Sequence, residues 1–393
     1  MKFYIKEIES KKERKQFLQL PVLLYKNQKN WIRPLDSDIE KVFDKNKNKY
    51  FKQGIATRWL LLNGKGHAVG RIAAFIDYKA ATKKNDQPTG GIGFFECINN
   101  QEAANILFDT GKEWLKKNGM EAMDGPINFG DRNENWGLLV KGDFPPNYGM
   151  PYHYDYYKTL FETYGFQTYF RQLTFIRDIT PSYEGFDQKI IDKSSKLLKD
   201  TNYSFRHVKM ENIDHHAEEF RTIYNKAWAG FSGLGSMSKP QAQSIINKLR
   251  KILDERLFWV GYYKEEPIAM FLMLPELNQI FKHVNGKMNL WGKLVFLYLH
   301  RRKKITTALG TLFGVVPEHQ GKGAEAAIIM AFADMVKKEK DFQYKQIEMN
   351  WIGDFNPKMI HVVKQIGGKE HKIHHTYRYL FDRTKEFKRM EII

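Results

Sequence analysis

A chain of 393 residues is long enough for two cores, and its 42% hydrophobic and 27% charged residues exclude a chain dominated by disorder. The net charge of +18 calls for an anionic partner, whether CoA phosphates, an anionic membrane surface or nucleic acid, and does not choose among them. The single cysteine, Cys97, excludes an intramolecular disulfide framework and fits a reducing compartment, so a cytoplasmic protein is expected.

Met1 to Ser10 mix charged and apolar side chains without the hydrophobic run of a secretory signal. No stretch approaches the roughly 20 apolar residues needed to span a bilayer. Trp59-Leu60-Leu61-Leu62, Asn63-Gly64-Lys65 and Ile72-Ala73-Ala74-Phe75 read as strand, turn and strand. Gly93-Phe94-Phe95 then leads into a helix ending at Trp114-Leu115-Lys116-Lys117, and Ala122 to Ile127 is the next strand. Polar and aromatic residues crowd the stretch that follows: Asn128, Asp131, Asn133, Glu134, Asn135, Trp136, then Tyr152-His153-Tyr154-Asp155-Tyr156-Tyr157. Its glycines and prolines bend the backbone, and its aromatics supply flat apolar walls. Such a loop either holds an acceptor amine or alcohol, with Glu134 or Asp155 as charge partner, or is a surface loop pinned by aromatic packing.

The same order recurs after a junction near Thr180-Pro181-Ser182. Trp259-Val260-Gly261-Tyr262, Lys264-Glu265-Glu266 and Ile268-Ala269-Met270-Phe271 form a second hairpin pattern. Phe313-Gly314-Val315-Val316 leads into a helix ending at Met335-Val336-Lys337-Lys338, and Gln346 to Asn350 is the strand after it. Tyr164-Gly165-Phe166 and Ile366-Gly367-Gly368 each open a final pair of strands. Strands alternating with helices imply an α/β fold in each half, with domains at 1–182 and 183–393. Relative to each other, the first half gains an insertion at about 130–155 and the second at about 275–305, and insertions in repeats map to loops where sites are built.

One motif carries the chemistry. Val315-Val316-Pro317-Glu318-His319-Gln320-Gly321-Lys322-Gly323-Ala324 runs from a β-stretch through a glycine-rich turn into a helix. Unpaired N–H groups at such a helix start face an anion, the helix dipole adds partial positive charge, and Lys322 adds a full one. Gln320, Gly321, Lys322, Gly323 and Ala324 resemble, in order, the pyrophosphate loop of the GCN5-related N-acetyltransferase (GNAT) family, over a span of about 204–382. Glu325 departs from that pattern, so its carboxylate must point away or the loop must shift. The resemblance implies two tandem GNAT-like domains, acetyl-CoA or a longer acyl-CoA as co-substrate, no metal, and an amine acceptor. It implies further that N–H groups at Val315 and Val316 polarise the thioester carbonyl. Asn356 matches a family asparagine, but Val363 stands where the family carries an acidic tyrosine. Glu348 and Asn350, on one face of their strand by alternation, and Glu134 are the remaining catalytic candidates.

The first-half turn Ile98-Asn99-Asn100-Gln101-Glu102 has neither glycine nor cation, so this half is expected to be a degenerate copy that supports or completes the acceptor site. Leu20-Pro21, Tyr25, Trp31, Pro34-Leu35 and Gly70-Arg71-Ile72 resemble a group of two-domain bacterial acyltransferases that includes ceramide synthases. That resemblance implies acyl transfer to a sphingoid amine; a tandem group using aminoacyl-tRNA is the alternative, and a non-catalytic binding protein a third. Between Met288 and Lys304 an apolar, aromatic run ends in His300-Arg301-Arg302-Lys303-Lys304, which suits peripheral contact with an anionic membrane, the lining of an acyl tunnel, or a buried helix. His371, His374 and His375 lack companion ligands at metal spacing, and Cys97 lacks a paired base.

Overall fold

In both halves an outer strand and opening helices lead to an antiparallel hairpin, a further strand, a long helix and a strand parallel to the one before it. The computed structural model describes residues 2–83, 85–131, 134–228 and 236–392, so Asn133 lies outside the described residues. The first half comprises β1 (Phe3–Glu7), α1 (Lys11–Leu24), α2 (Asp36–Val42), β2 (Gly54–Asn63), β3 (Ala68–Asp77), α3 (Tyr78–Ala81), β4 (Thr89–Cys97), α4 (Gln101–Lys117), β5 (Ala122–Gly125), β6 (Leu138–Lys141), α5 (Tyr156–Tyr164) and β7 (Gln167–Asp178). The second comprises α6 (Gln188–Lys199), β8 (Tyr203–His207), α7 (Ile213–Trp228), α8 (Lys239–Leu249), β9 (Phe258–Tyr263), β10 (Glu266–Pro275), α9 (Asn278–Phe281), α10 (Leu290–Arg301), β11 (Thr307–Val315), α11 (Ala324–Lys338), β12 (Gln346–Gly353), α12 (Pro357–Gln365) and β13 (Lys369–Leu380).

Local chemistry sets these boundaries. Asn100 caps α4 by accepting the Ala103 N–H, and Ala103, Ala104, Leu107, Phe108 and Leu115 form its buried stripe at helical spacing. Asn356 caps α12 through the Met359 N–H, with Pro357 at the first helical position where no amide is needed. α11 is buried on most of its circumference, from Ala324 to Ala333, because α6 covers one side and the sheet the other. β9 and β10 alternate: Trp259, Ala269 and Phe271 face the α11 core, whereas Val260, Met270 and Leu272 face α7 and α8.

The described strands form one sheet in the order β1-β2-β3-β4-β5-β13-β7-β12-β11-β10-β9-β8, with β6 added on β13. Within it β4–β5 and β11–β12 are parallel pairs. The last strand of each half sits in the other half: β7 pairs with β12, and β13 pairs with β5. β7 and β13 then pair antiparallel with each other at the centre. Where a final pair of strands was expected in each half, the structure has a single strand of 12 residues. Neither segment holds a glycine or proline to turn it back, and each bends by register shifts instead.

Candidate active site

Past Gly310 and Met349 the parallel strands β11 and β12 separate. Their ladder joins Thr307 through Gly310 to Gln346 through Met349 and stops, while β11 continues to Val315 against β10 and β12 continues to Gly353 against β7. The wedge between them is edged by main chain that, among the described residues, has no ladder partner on that side. Val316 N–H donates to the Ile268 carbonyl at 2.8 Å on the β10 side, so strand alternation turns the Val315 N–H toward the wedge. Of the two amides expected to act on a thioester, Val316 is committed to the sheet and Val315 faces the opening. Trp228, at the end of α7, lies against β11 so closely that a methyl group at Gly314 would come within 2.3 Å of its Cη2.

The glycine loop closes the top of the wedge. Gly321 and Gly323 have φ of +70° and +105°, and Gly323 is the N-cap of α11. Lys322 is exposed, and Lys193 of α6 passes beside Gly323, where an added methyl would stand 3.0 Å from its Cγ. Gln320 turns inward, its Nε2 donating to the Val315 carbonyl at 2.9 Å. Glu325 does not point away: its Oε1 accepts the Gly321 N–H at 3.0 Å. The carboxylate therefore already holds one of the loop's donors, and an anion bound at that amide has to displace it. Ala324 is buried under the loop. Asn356 stands at the far end of β12 as a helix cap, and Val363 is fully buried in the core.

Directly below the fork lies a buried ionic group. Glu348, paired in register with Leu309, accepts two hydrogen bonds from Lys372 Nζ at 2.8 and 2.9 Å, and His371 Nδ1 is 3.2 Å away. Burial pushes the Glu348 carboxyl up, but His371 and Lys372 outweigh it and hold it below the ordinary range. Glu348 is thus an ion-pair member rather than a free base, and Asn350 is half-buried where β12 leaves its regular register with β7. Nearby Glu276 is lifted to about 7 by burial, opposed by the amides of Asn278 and Tyr148 that it accepts. Glu134 lies on the rim of the first-half insertion, near enough to Tyr148 to act on its phenol, its carboxyl raised by the protein around it and by Asp131 although solvent reaches it. The two insertions meet: Tyr148 N–H bonds Glu276 at 2.7 Å, and Asn278 Nδ2 bonds the Pro146 carbonyl at 2.9 Å. On the opposite face, a narrow apolar crevice of about 40 Å³ is lined by Phe271, Ile329, Phe332, Ile347, Met349 and Ile366, among others.

No family model matches the chain. It is 25% identical over 375 residues to the bacterial ceramide synthase of Caulobacter vibrioides, covering 94% of this chain and 95% of that one. It is 24% identical over 374 residues to protein YghO of Escherichia coli, covering 94% and 93%. A solved tandem GNAT protein from the clavulanic acid biosynthesis pathway superposes with a TM-score of 0.56 over 98% of this chain and 100% of that one, at 11% identity. The architecture is a tandem GNAT fold.

Within the tandem GNAT fold the first half has the same fork and fills it. β4 and β5 pair from Thr89 to Gly91 and then part, but Ile127 N–H bonds the Ile92 carbonyl at 2.8 Å. Tyr157 Oη accepts the Cys97 N–H at 3.1 Å, and Tyr156 Oη donates to the Cys97 carbonyl at 2.7 Å. Phe95, Phe108 and Phe161 pack beside them. At the corresponding place between β11 and β12, Gln320 meets the Val315 carbonyl, and strand alternation leaves the Val315 N–H facing the wedge. Cys97 is buried there, its thiol pushed up to about 12 by burial, which makes it a packing residue.

The residues of the opening signature assemble in this half. Tyr25 and Tyr157 each donate to Glu96 Oε2 at 2.8 Å, Arg71 Nη2 stands 3.5 Å from Glu96 Oε1, and Trp31 stacks on Tyr25. Their spacing in the sequence carried no hint of a shared carboxylate, because Glu96 lies outside the signature. Glu276 and Lys372 were also missed. A signal existed for the first, since Glu276 is the sole acidic residue between Glu266 and Glu318. The β13 histidines diverge: His371 stacks on Phe144, His374 is buried beside Trp136, and His375 bonds Thr168.

Proposed function

We propose that the protein is an acyl-CoA-dependent N-acyltransferase whose donor site is the β11–β12 wedge and whose acceptor is a lipid-like amine. One observation carries the reading: a fork whose strand edges lack a ladder partner ends under a glycine turn and helix start with cations beside it. The free edge suits the amide-rich arm of CoA, which can pair with it as a short strand does. The α11 start, with Lys322 and Lys193, suits the pyrophosphate. The Val315 N–H suits the oxyanion that forms when an amine attacks the thioester carbonyl. In that step the C–N bond forms, the C–S bond breaks, and the thiolate takes up a proton. The amine's proton passes to solvent or to Glu276, which lies near the Lys372–Glu348 ion pair. In this reading residues 183–393 carry the donor site, and residues 1–182 support it and face the acceptor. The ceramide synthase relative supports a long-chain amine.

Native mass spectrometry with acetyl-CoA and palmitoyl-CoA, followed by a thiol-release assay with long-chain amines, tests the proposal. Binding of the thioesters, lost in Gly321→Ala/Gly323→Ala, and thiol release only with amine present are expected. A double variant that binds as well as the wild type would remove the loop from the site. The paired state of Glu348 and the burial of Val363 favour a second reading, a binding protein that has lost turnover; it predicts thioester binding without thiol release across the amine panel.

A further inference from the structure

α10 has two apolar faces and only one is covered. Val295, Phe296 and Leu299 pack toward the second-half core, with Phe296 against Phe281 of α9. Leu290, Trp291, Leu294, Leu297 and Tyr298, at helical spacing on the other face, are exposed by between 49% at Leu297 and 77% at Leu290. Together they account for five of the chain's twelve strongly exposed large hydrophobic residues among those described, gathered on one short helix. Isolated exposed apolar residues are ordinary; a continuous ridge marks a contact surface.

Charge selects what the ridge meets. Lys293 stands within the helix, and Arg301, Arg302, Lys303 and Lys304 follow at its end, all exposed. Lys303 is paired with Asp341 at 2.8 Å. No Asp or Glu occurs between Glu276 and Glu318. Two copies joined through this face would bring like charges together. Nucleic acid would answer the cations and leave the leucines unmatched. An anionic bilayer answers both: the apolar side chains enter the acyl boundary, Trp291 and Tyr298 suit the headgroup level, and the cations meet lipid phosphate. Among the described residues no helix is long and apolar enough to cross a membrane, so such contact lies along the surface.

We propose that the exposed face of α10 docks the protein on the surface of an anionic lipid bilayer, with the helix lying in the headgroup plane. This inference is independent of acyl transfer, since vesicle binding and thioester binding are read separately on the same protein.

Co-sedimentation with vesicles of phosphatidylcholine alone, and of phosphatidylcholine with about one third phosphatidylglycerol, tests it. The wild-type chain is expected to bind the anionic vesicles at least about tenfold more tightly than the neutral ones, and less tightly as salt rises. Leu294→Glu/Leu297→Glu is expected to lose that binding by about tenfold or more while keeping the wild-type melting temperature and palmitoyl-CoA binding. Failure of the wild type to bind anionic vesicles overturns the proposal. So does equal binding by the double variant, which would assign adhesion to general surface charge. A dimer in sedimentation velocity that the same double substitution dissociates would assign the face to a second copy, and would also overturn it.

Discussion

Burial disfavours the charge on Glu276 more than the Tyr148 and Asn278 amides favour it, so its carboxyl holds a proton to about pH 7. The unfolded chain gives up that proton near 4.5, the ordinary value. Between these limits the folded state binds the extra proton, so this residue makes stability fall as pH rises from about 4.5 to about 7 and contributes no slope above that. The loss sums to roughly 3 kcal/mol for a shift of this size. Glu276→Gln keeps an acceptor for the two amides and removes the titration. Urea denaturation at about pH 5 and about pH 8 is expected to show a wild-type decline that the variant lacks by roughly that amount. Matching pH profiles would mean that Glu276 ionises normally. At this scale the sequence was only partly legible. Alternation placed Glu348 on its face, but the partner, Lys372, is reached through a strand pairing that no local pattern encodes. Glu325 was recognised as foreign to the loop; its direction depends on the Gly321 amide in the turn before the helix, a contact that no local pattern encodes.

Hairpins and long helices were the legible elements. β2–β3 and β9–β10 follow from β-formers around polar turns, and Lys264 and Glu265 take the left-handed conformations that a tight turn demands. α4 and α11 follow from apolar periodicity. What no periodicity reveals is that one fork is filled and its counterpart open. The filling depends on Tyr156 and Tyr157, which come from α5 and reach β4 only in the folded chain. Tyr157 serves the Cys97 amide and Glu96 together, so Tyr157→Phe leaves a buried donor and a buried carboxylate short of one bond each. A stability loss of about 1–3 kcal/mol is expected by chemical denaturation, with palmitoyl-CoA binding unchanged. Lost thioester binding at full stability would place the donor site in the first half instead.

The exchange of β7 and β13 binds the two halves into one sheet. Cutting the chain at the junction near residue 182 leaves the first half without β13 beside β5 and β7, and the second without β7 between β12 and β13. Residues 1–182 and 183–393 produced separately are therefore expected to lack cooperative thermal unfolding by circular dichroism, and to regain it when mixed. A cooperative transition in either half alone would show that the exchanged strands are dispensable. The duplication itself was readable, because each copy repeats the order of its elements. The exchange was not, because β7 and β13 are of equal length and similar pattern, and their choice of neighbour is made by long-range pairing rather than by local preference.

That choice also has an order in time. β5 ends at residue 125 and its neighbour β13 begins at residue 369, so during translation the edge of β5 is made long before the strand that covers it. A growing chain holds that edge open while the whole second half emerges, and an uncovered strand edge is a template for pairing with the wrong chain. The arrangement that unites the mature molecule therefore leaves the nascent one with an uncovered edge until β13 arrives.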